Sequence, residues 1–473
     1  MGNTKSCESI QPRINRACDI GKCAKSIRGY ASNSASPTDI WELEMYDGVR
    51  YGQEKIPNKI ILKLYIDNIS PGLKRKIKTI YKNMVEENRE VVNSKELRYE
   101  SDIYNYVIGL FTRENINPYF VRYYGASQEC TFDQLVKSVT VENSPDRKMT
   151  KLRIPKKKFI ENLVNNTLFM AGNKSKRPSI NNLNPVTTKE NIKSIIQDLN
   201  NPLDRIKYGM IITEKSNGEV FGNWFETQIR GGEISDDGWK SIVQVLSALT
   251  ALETLEVAHN DLHLGNIFVE DLNGEVLEQF KYTYNDKELA FGIRSNFRCA
   301  IYDWDRGYMQ KLGNNPTLEE NKDSLCDITS QCNEYIAQRE VTKFLIYILN
   351  YNINNIEREK IYTCMMGMNY NQINFFHKNI VKGNYFLQLN QNQALKRKHY
   401  EQLGIFTPTK VLTNLLILLQ NNRNIIEFTA TDESHYNKNS VIYDMTRNTV
   451  QNKFNNYYRK KDFKQMEIFE NDK

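Results

Sequence analysis

Apolar residues recur along the chain at two spacings, and the two alternate. Lys59-Ile-Ile-Leu-Lys-Leu-Tyr-Ile66 is a short β-type run. Residues 94–111 place Leu97, Glu100, Ile103, Tyr104, Val107, Ile108 and Phe111 on one helical face. The segments 119–125 and 208–215 read as further strands, the second ending in polar residues. Trp239, Ile242, Val243, Leu246, Leu249, Leu252 and Leu255 then recur at helical spacing and predict an amphipathic helix over 238–257. Residues 339–350 and 410–420 read as helices as well. Residues 271–298 predict an inserted hairpin, with Asn273-Gly274 as one turn signal. Residues 1–40 are Ser-, Gly- and Asn-rich and poorly patterned, and the last 25 residues are polar and mixed-charge, which reads as a frayed helix or a tail. No internal repeat is present.

A length of 473 residues suits two to four domain-sized units, or one large domain with insertions. Aromatic residues make up 11% of the chain, which argues against global disorder. Subtracting 57 acidic from 64 basic residues leaves +7, spread over a long chain, so nucleic-acid binding is not indicated. Charge does concentrate within 127–205, which reads as an insertion. Between Arg147 and Arg177 stand ten Lys or Arg and one acid, Glu161. That stretch is either a docking surface for an anionic partner or a solvated loop and helix face.

The eight cysteines form no C-x-x-C pair and no zinc-spaced cluster with histidine. They are expected to be reduced thiols of an intracellular protein. No apolar run is long enough to span a membrane, and no secretory h-region opens the chain. Met1-Gly2-Asn3-Thr4-Lys5-Ser6-Cys7 fits the N-myristoylation pattern at Gly2, with Cys7 as a second acylation site. The other reading is a plain polar N-terminus. One acyl chain anchors only marginally, so a second signal would matter.

The informative segment is His259-Asn260-Asp261-Leu262-His263-Leu264-Gly265-Asn266, followed by apolar Ile267-Phe268-Val269 and later by Ala300-Ile301-Tyr302-Asp303-Trp304-Asp305. Its residue types suit phosphoryl transfer, which needs positioning and charge neutralisation more than covalent help. One Asp must orient the attacking hydroxyl. An Asn and a second Asp must hold the metal ions that bridge the phosphates. A loop between two strands holds the first Asp and the Asn at once, five residues apart.

This region resembles the protein-kinase-like superfamily, across roughly residues 20–350. The resemblance implies an α+β, two-lobed fold with a β-rich first lobe, a mainly helical second lobe and insertions. The expected organisation is a flexible 1–40, a first lobe over 41–216 with the basic insertion at about 127–205, a second lobe over 217–447 and a polar tail over 448–473. ATP and Mg²⁺ are the implied cofactors, with ATP bound between the lobes. Asp261 is implied as catalytic base, Asn266 and Asp303 as metal ligands, and His259 as an internal brace of the loop. Lys63, flanked by apolar residues, resembles the strand lysine that grips the α- and β-phosphates. Glu100 resembles its helical partner. Thr213 resembles the gatekeeper, and Glu214 opens the adenine-binding hinge. A full G-x-G-x-x-G is absent; Gly21 or Gly29, the latter followed by Tyr-Ala-Ser-Asn-Ser-Ala, is the nearest phosphate-covering loop.

Three features depart from the ordinary pattern. His263 stands where protein kinases usually carry a lysine that contacts the γ-phosphate. Asp305 replaces a glycine, giving Asp-Trp-Asp, and no A-P-E motif follows. Such forms occur in small-molecule phosphotransferases of the aminoglycoside and choline kinase type. They also occur in divergent serine/threonine kinases of large cytoplasmic DNA viruses, poxvirus and iridovirus relatives among them. The strings Gly313-Asn-Asn-Pro-Thr-Leu and Gln331-Cys-Asn-Glu-Tyr…Arg339-Glu-Val are similar to the viral group. The expected function is therefore an ATP-dependent serine/threonine protein kinase, viral, acting on a protein hydroxyl in host cytoplasm or virion, with membrane association through an acylated N-terminus. Two other readings stand beside it: a small-molecule kinase, and a membrane-tethered pseudokinase scaffold. Thr317, Ser324 and Thr329 lie where an activation segment would run. Residues 351–473 match nothing beyond helices completing the second lobe.

Overall fold

The computed structural model describes residues 13–14, 20, 23–29, 39–51, 54–69, 94–131, 206–319, 333–366, 407–423, 426–430 and 441–457. Gly2, Cys7, Gly21, the basic run from Arg147 to Arg177, Ser324 and Thr329 lie outside them, as do residues 30–38 behind Gly29. The described elements are mixed α and β, with mainly antiparallel sheets. The chain divides into two compact units, Met1–Ser101 with Tyr123–Lys215, and Asp102–Arg122 with Ser216–Lys473.

The first unit is built on a five-stranded antiparallel sheet. Its spatial order is Ala24–Gly29, Asp39–Met45, Lys59–Ile69, Ile206–Glu214, Tyr123–Thr131. Alternation sets its faces. Trp41, Leu43, Met45, Ile60, Leu62, Met210 and Ile212 are all buried on one side. Lys63 pairs with Ile211 and Ile61 with Thr213, so Lys63 and Thr213 share the opposite face. The strand expected over 119–125 begins later, at Tyr123. Pro118 cannot donate to a ladder, and in the second unit residues 119–121 instead flank Ile301, with Ile301 N–H donating to the Tyr119 carbonyl and Val121 N–H to that of Ile301.

The second unit is organised by the helix Asp236–Glu253. Ser235 caps its start by accepting from Gly238 N–H, and Asp236 and Asp237 complement the positive end of its dipole. Nearly every residue from Gly238 to Leu252 is buried. The polar residues among them are satisfied locally: Ser241, Ser247 and Thr250 return their hydroxyls to helix carbonyls. Gln244 instead reaches sideways, accepting from Cys299 N–H at 2.7 Å and donating to the Phe297 carbonyl at 3.1 Å.

Those two residues belong to a long hairpin, Ile267–Tyr284 with Lys287–Ile301. The hairpin was expected over 271–298; it is longer, and its turn is not Asn273-Gly274. That dipeptide has positive φ at both residues and sits where the register shifts between Asp271 and Val276, so it forms a bulge. The reversal falls at Asn285-Asp286, both with positive φ, the conformation that matches strand twist in a two-residue turn. The strands Ile426–Ala430 and Ile442–Met445 cover the two edges of the hairpin, which removes exposed ladder groups. The C-terminal region thus supplies strands as well as helices. The segment expected as a frayed helix or a tail opens on helix 447–457, which buries Val450 and Phe454. Cys130 is disulfide-bonded, contrary to the expectation of eight reduced thiols, while Cys23, Cys299 and Cys364 form no disulfide and are buried. Among the described residues no helix is long and apolar enough to cross a membrane.

Candidate active site

The loop from His259 to Asn266 begins where the central helix ends. Val257–Ala258 pairs with Tyr308–Met309 and anchors one end. The hairpin anchors the other, because Ile267 pairs with Ile301. That register sets Asn266 beside Tyr302, whose N–H donates to the Asn266 carbonyl at 3.1 Å. Asp303 is the next residue. The Tyr302 hydroxyl closes the junction by donating to the Gly265 carbonyl at 2.7 Å, and its ring stacks on Phe268.

His259 is fully buried and ties loop to strand end. Its Nδ1 accepts from Asp261 N–H at 3.3 Å, which assigns the proton to Nε2, and Nε2–H donates to the Tyr302 carbonyl at 2.8 Å. The buried Trp304 ring packs on this imidazole at 4.5 Å. Asn260 and Asp303 both have left-handed backbones, φ 63° and 67°. Such conformations persist where the surroundings over-determine them, and they cluster at functional sites. Here Asn260 Nδ2 donates to the Arg306 carbonyl at 3.0 Å, and Asp303 N–H reaches the Tyr104 hydroxyl at 3.3 Å. Tyr104 opens a π-helical stretch, Tyr104–Ile108, inside the helical run 94–113.

Asp261 is surrounded by cations. Arg306 Nη1 lies 3.0 Å from Oδ2, and Lys343 Nζ 3.5 Å from Oδ1. The carboxylate is 18% exposed, enough to meet a second molecule. The Asn266 amide nitrogen donates to the Asp261 carbonyl at 2.9 Å, which turns its oxygen the other way. His263 Nδ1 accepts from Gly265 N–H at 3.0 Å, and Nε2 stands 4.0 Å from Asp261 Oδ2. Burial lowers the His263 pKa, partly offset by the Asp261 charge, so the ring is neutral at neutral pH.

In the first unit, Lys63 Nζ donates to Glu100 Oε1 at 2.8 Å. The glutamate is 1% exposed and the lysine 13%, so each compensates the other's desolvation. Thr213 and Glu214 end the strand Ile206–Glu214, opposite Ile61 and Ile60, and both are partly buried. Gly29 ends its strand opposite Trp41.

The residues expected to form one nucleotide site are thus described as two groups, the loop and strand end with Asp261, His263, Asn266 and Asp303, and the pair Lys63 with Glu100. The sequence reading missed Arg306, Lys343, Glu340 and Tyr104. One signal was available: Glu340 and Lys343 stand three residues apart in the first half of a helix whose second half is apolar. The donor set fits a hard divalent cation. Asp303 offers a carboxylate and Asn266 an amide oxygen. Among the described residues no three His, Cys, Asp or Glu gather into a protein-only metal cage. Mg²⁺ suits such a set, since it takes one or two carboxylates plus substrate oxygens. A surface concavity of 540 Å³ is lined by Asp237, Lys240, Asp271 and Glu275 among others, and by none of these site residues. Compared with protein-family models and with characterised proteins, the chain matches none.

Proposed function

We propose that the chain is an ATP-dependent serine/threonine protein kinase with the two-lobed kinase-like fold, its lobes over 41–216 and 217–447. One observation carries the reading. The hairpin register, Ile267 against Ile301, brings Asp303 to the loop that already holds Asp261 and Asn266 five residues apart. A carboxylate to orient a hydroxyl and two oxygen ligands for a metal then share one rigid frame. The Lys63–Glu100 pair supports it, because a cation held by a buried carboxylate is fixed in place to meet phosphate.

In this reading Asp261 holds the acceptor hydroxyl and takes its proton. The hydroxyl oxygen bonds to the γ-phosphorus as the bond to the β–γ bridging oxygen breaks, and ADP leaves with that electron pair. Asn266 and Asp303 would hold Mg²⁺, which would supply neutralisation of phosphate charge. Lys63 meets the α- and β-phosphates, and His259 keeps the loop against the strand end.

The small-molecule reading retains one specific support, His263 with Asp303-Trp304-Asp305. The test is label transfer from γ-labelled ATP to casein or a basic protein, with D261A beside the wild type. D261A is expected to lose transfer by at least about 10³-fold while binding Mg·ATP nearly as well. A D261A protein that still labels its acceptor overturns the role. Wild-type protein that binds Mg·ATP but labels only small alcohols overturns the protein-kinase reading.

A further inference from the structure

Asn260, the left-handed residue ahead of Asp261, is gripped at both backbone groups by one helix. Its N–H donates to Glu340 Oε1 at 2.9 Å, and its carbonyl accepts from Lys343 Nζ at 3.0 Å. Glu340 and Lys343 stand three residues apart in Ala337–Leu349, so they are neighbours on one face. Glu340 is buried and the Lys343 side chain is 14% exposed. Desolvating an ammonium is costly unless a charge and hydrogen bonds compensate it. Here the compensation is the loop itself, because the same Nζ lies 3.5 Å from Asp261 Oδ1. Burial pulls the Lys343 pKa down, with the Asp261 and Glu340 charges acting against it.

The loop supplies no such cation of its own. His263 has committed Nδ1 to the Gly265 amide, and its Nε2 stays 4.0 Å from the carboxylate. Arg306 takes the other carboxylate oxygen from a more exposed position.

We infer that Lys343 is the positioning residue of the transfer step. With Glu340 it locks Asn260, it sets the Oδ1 edge of Asp261, and it places beside the acceptor hydroxyl the fixed positive charge that position 263 does not provide. The assignment rests on the kinase reading above.

The test is steady-state kinetics with casein as acceptor, together with Mg·ATP titration, on the full chain. K343M is expected to lower kcat about 100-fold while the KM for ATP and the Kd for Mg·ATP stay within about threefold. K343R, which keeps the charge, is expected to recover about tenfold of that loss. K343Q keeps a donor for the Asn260 carbonyl without the charge; it should track K343M, and it replaces K343M if that variant does not fold. A kcat within about threefold of wild type in K343M or K343Q overturns the assignment alone. So does Mg·ATP affinity falling in step with kcat, or a folded K343R that recovers nothing. Wild-type protein that binds Mg·ATP and transfers to no acceptor overturns the kinase reading, and this assignment with it.

Discussion

The imidazole of His263 accepts a hydrogen bond from Gly265 N–H, which a lysine ammonium has no lone pair to do. It thereby caps the short 3-10 turn Leu264–Asn266 that delivers Asn266. Position 263 thus serves loop geometry, and positive charge reaches Asp261 from Arg306 and Lys343 instead. This has a consequence for pH. Burial is the main influence on His263 and lowers its pKa; Lys343 and His259 push the same way, while Asp261 and Asp303 pull it up. The folded-state value lies below the unfolded one, so between the two the unfolded chain binds more protons. The contribution to stability is therefore complete above about pH 6.5 and is lost as pH falls through the folded-state pKa. The side chain is 41% exposed, so the effect is modest. Melting temperatures of wild type and H263N, taken at about pH 7.5 and about pH 5.5, should show the larger drop in wild type. Equal drops would contradict a histidine held neutral by its site.

The elements that hold the loop owe their positions to buried polar contacts as much as to apolar stripes. Gln244 joins the central helix to the hairpin through the Cys299 amide and the Phe297 carbonyl. Gln244→Ala leaves both groups buried and unsatisfied, which should cost about 2–4 kcal/mol in denaturant unfolding. A loss under about 0.5 kcal/mol would show that the helix and hairpin do not depend on this contact. The helix itself was legible, since Trp239, Ile242, Val243, Leu246, Leu249 and Leu252 fall on one stripe and are buried. The helices near 339–350 and 410–420 were legible for the same reason, and so was the strand that carries Lys63. Turn chemistry was less so. Asn273-Gly274 adopts positive φ, as its composition suggests, but within a ladder that continues past it, so the result is a bulge. The real reversal uses Asn285-Asp286, and neither residue is a glycine.

Across the whole molecule, what sequence made visible was local. Asp261, His263 and Asn266 lie within six residues, and Lys63 stands out as a charge inside an apolar strand. Arg306 and Lys343 reach Asp261 from far along the chain, and only the pairing of the hairpin and the packing of helix Ala337–Leu349 bring them there. Spacing rules carry no information about such approaches. The central claim is that Asp261, Asn266 and Asp303 form one metal-dependent phosphoryl-transfer site. Its most direct test is transfer from γ-labelled ATP to casein in the presence and absence of Mg²⁺, with D303A beside the wild type. The account predicts label on the acceptor that needs Mg²⁺ and disappears in a folded D303A protein. Label that persists in D303A, or that forms equally well without a divalent cation, would contradict it.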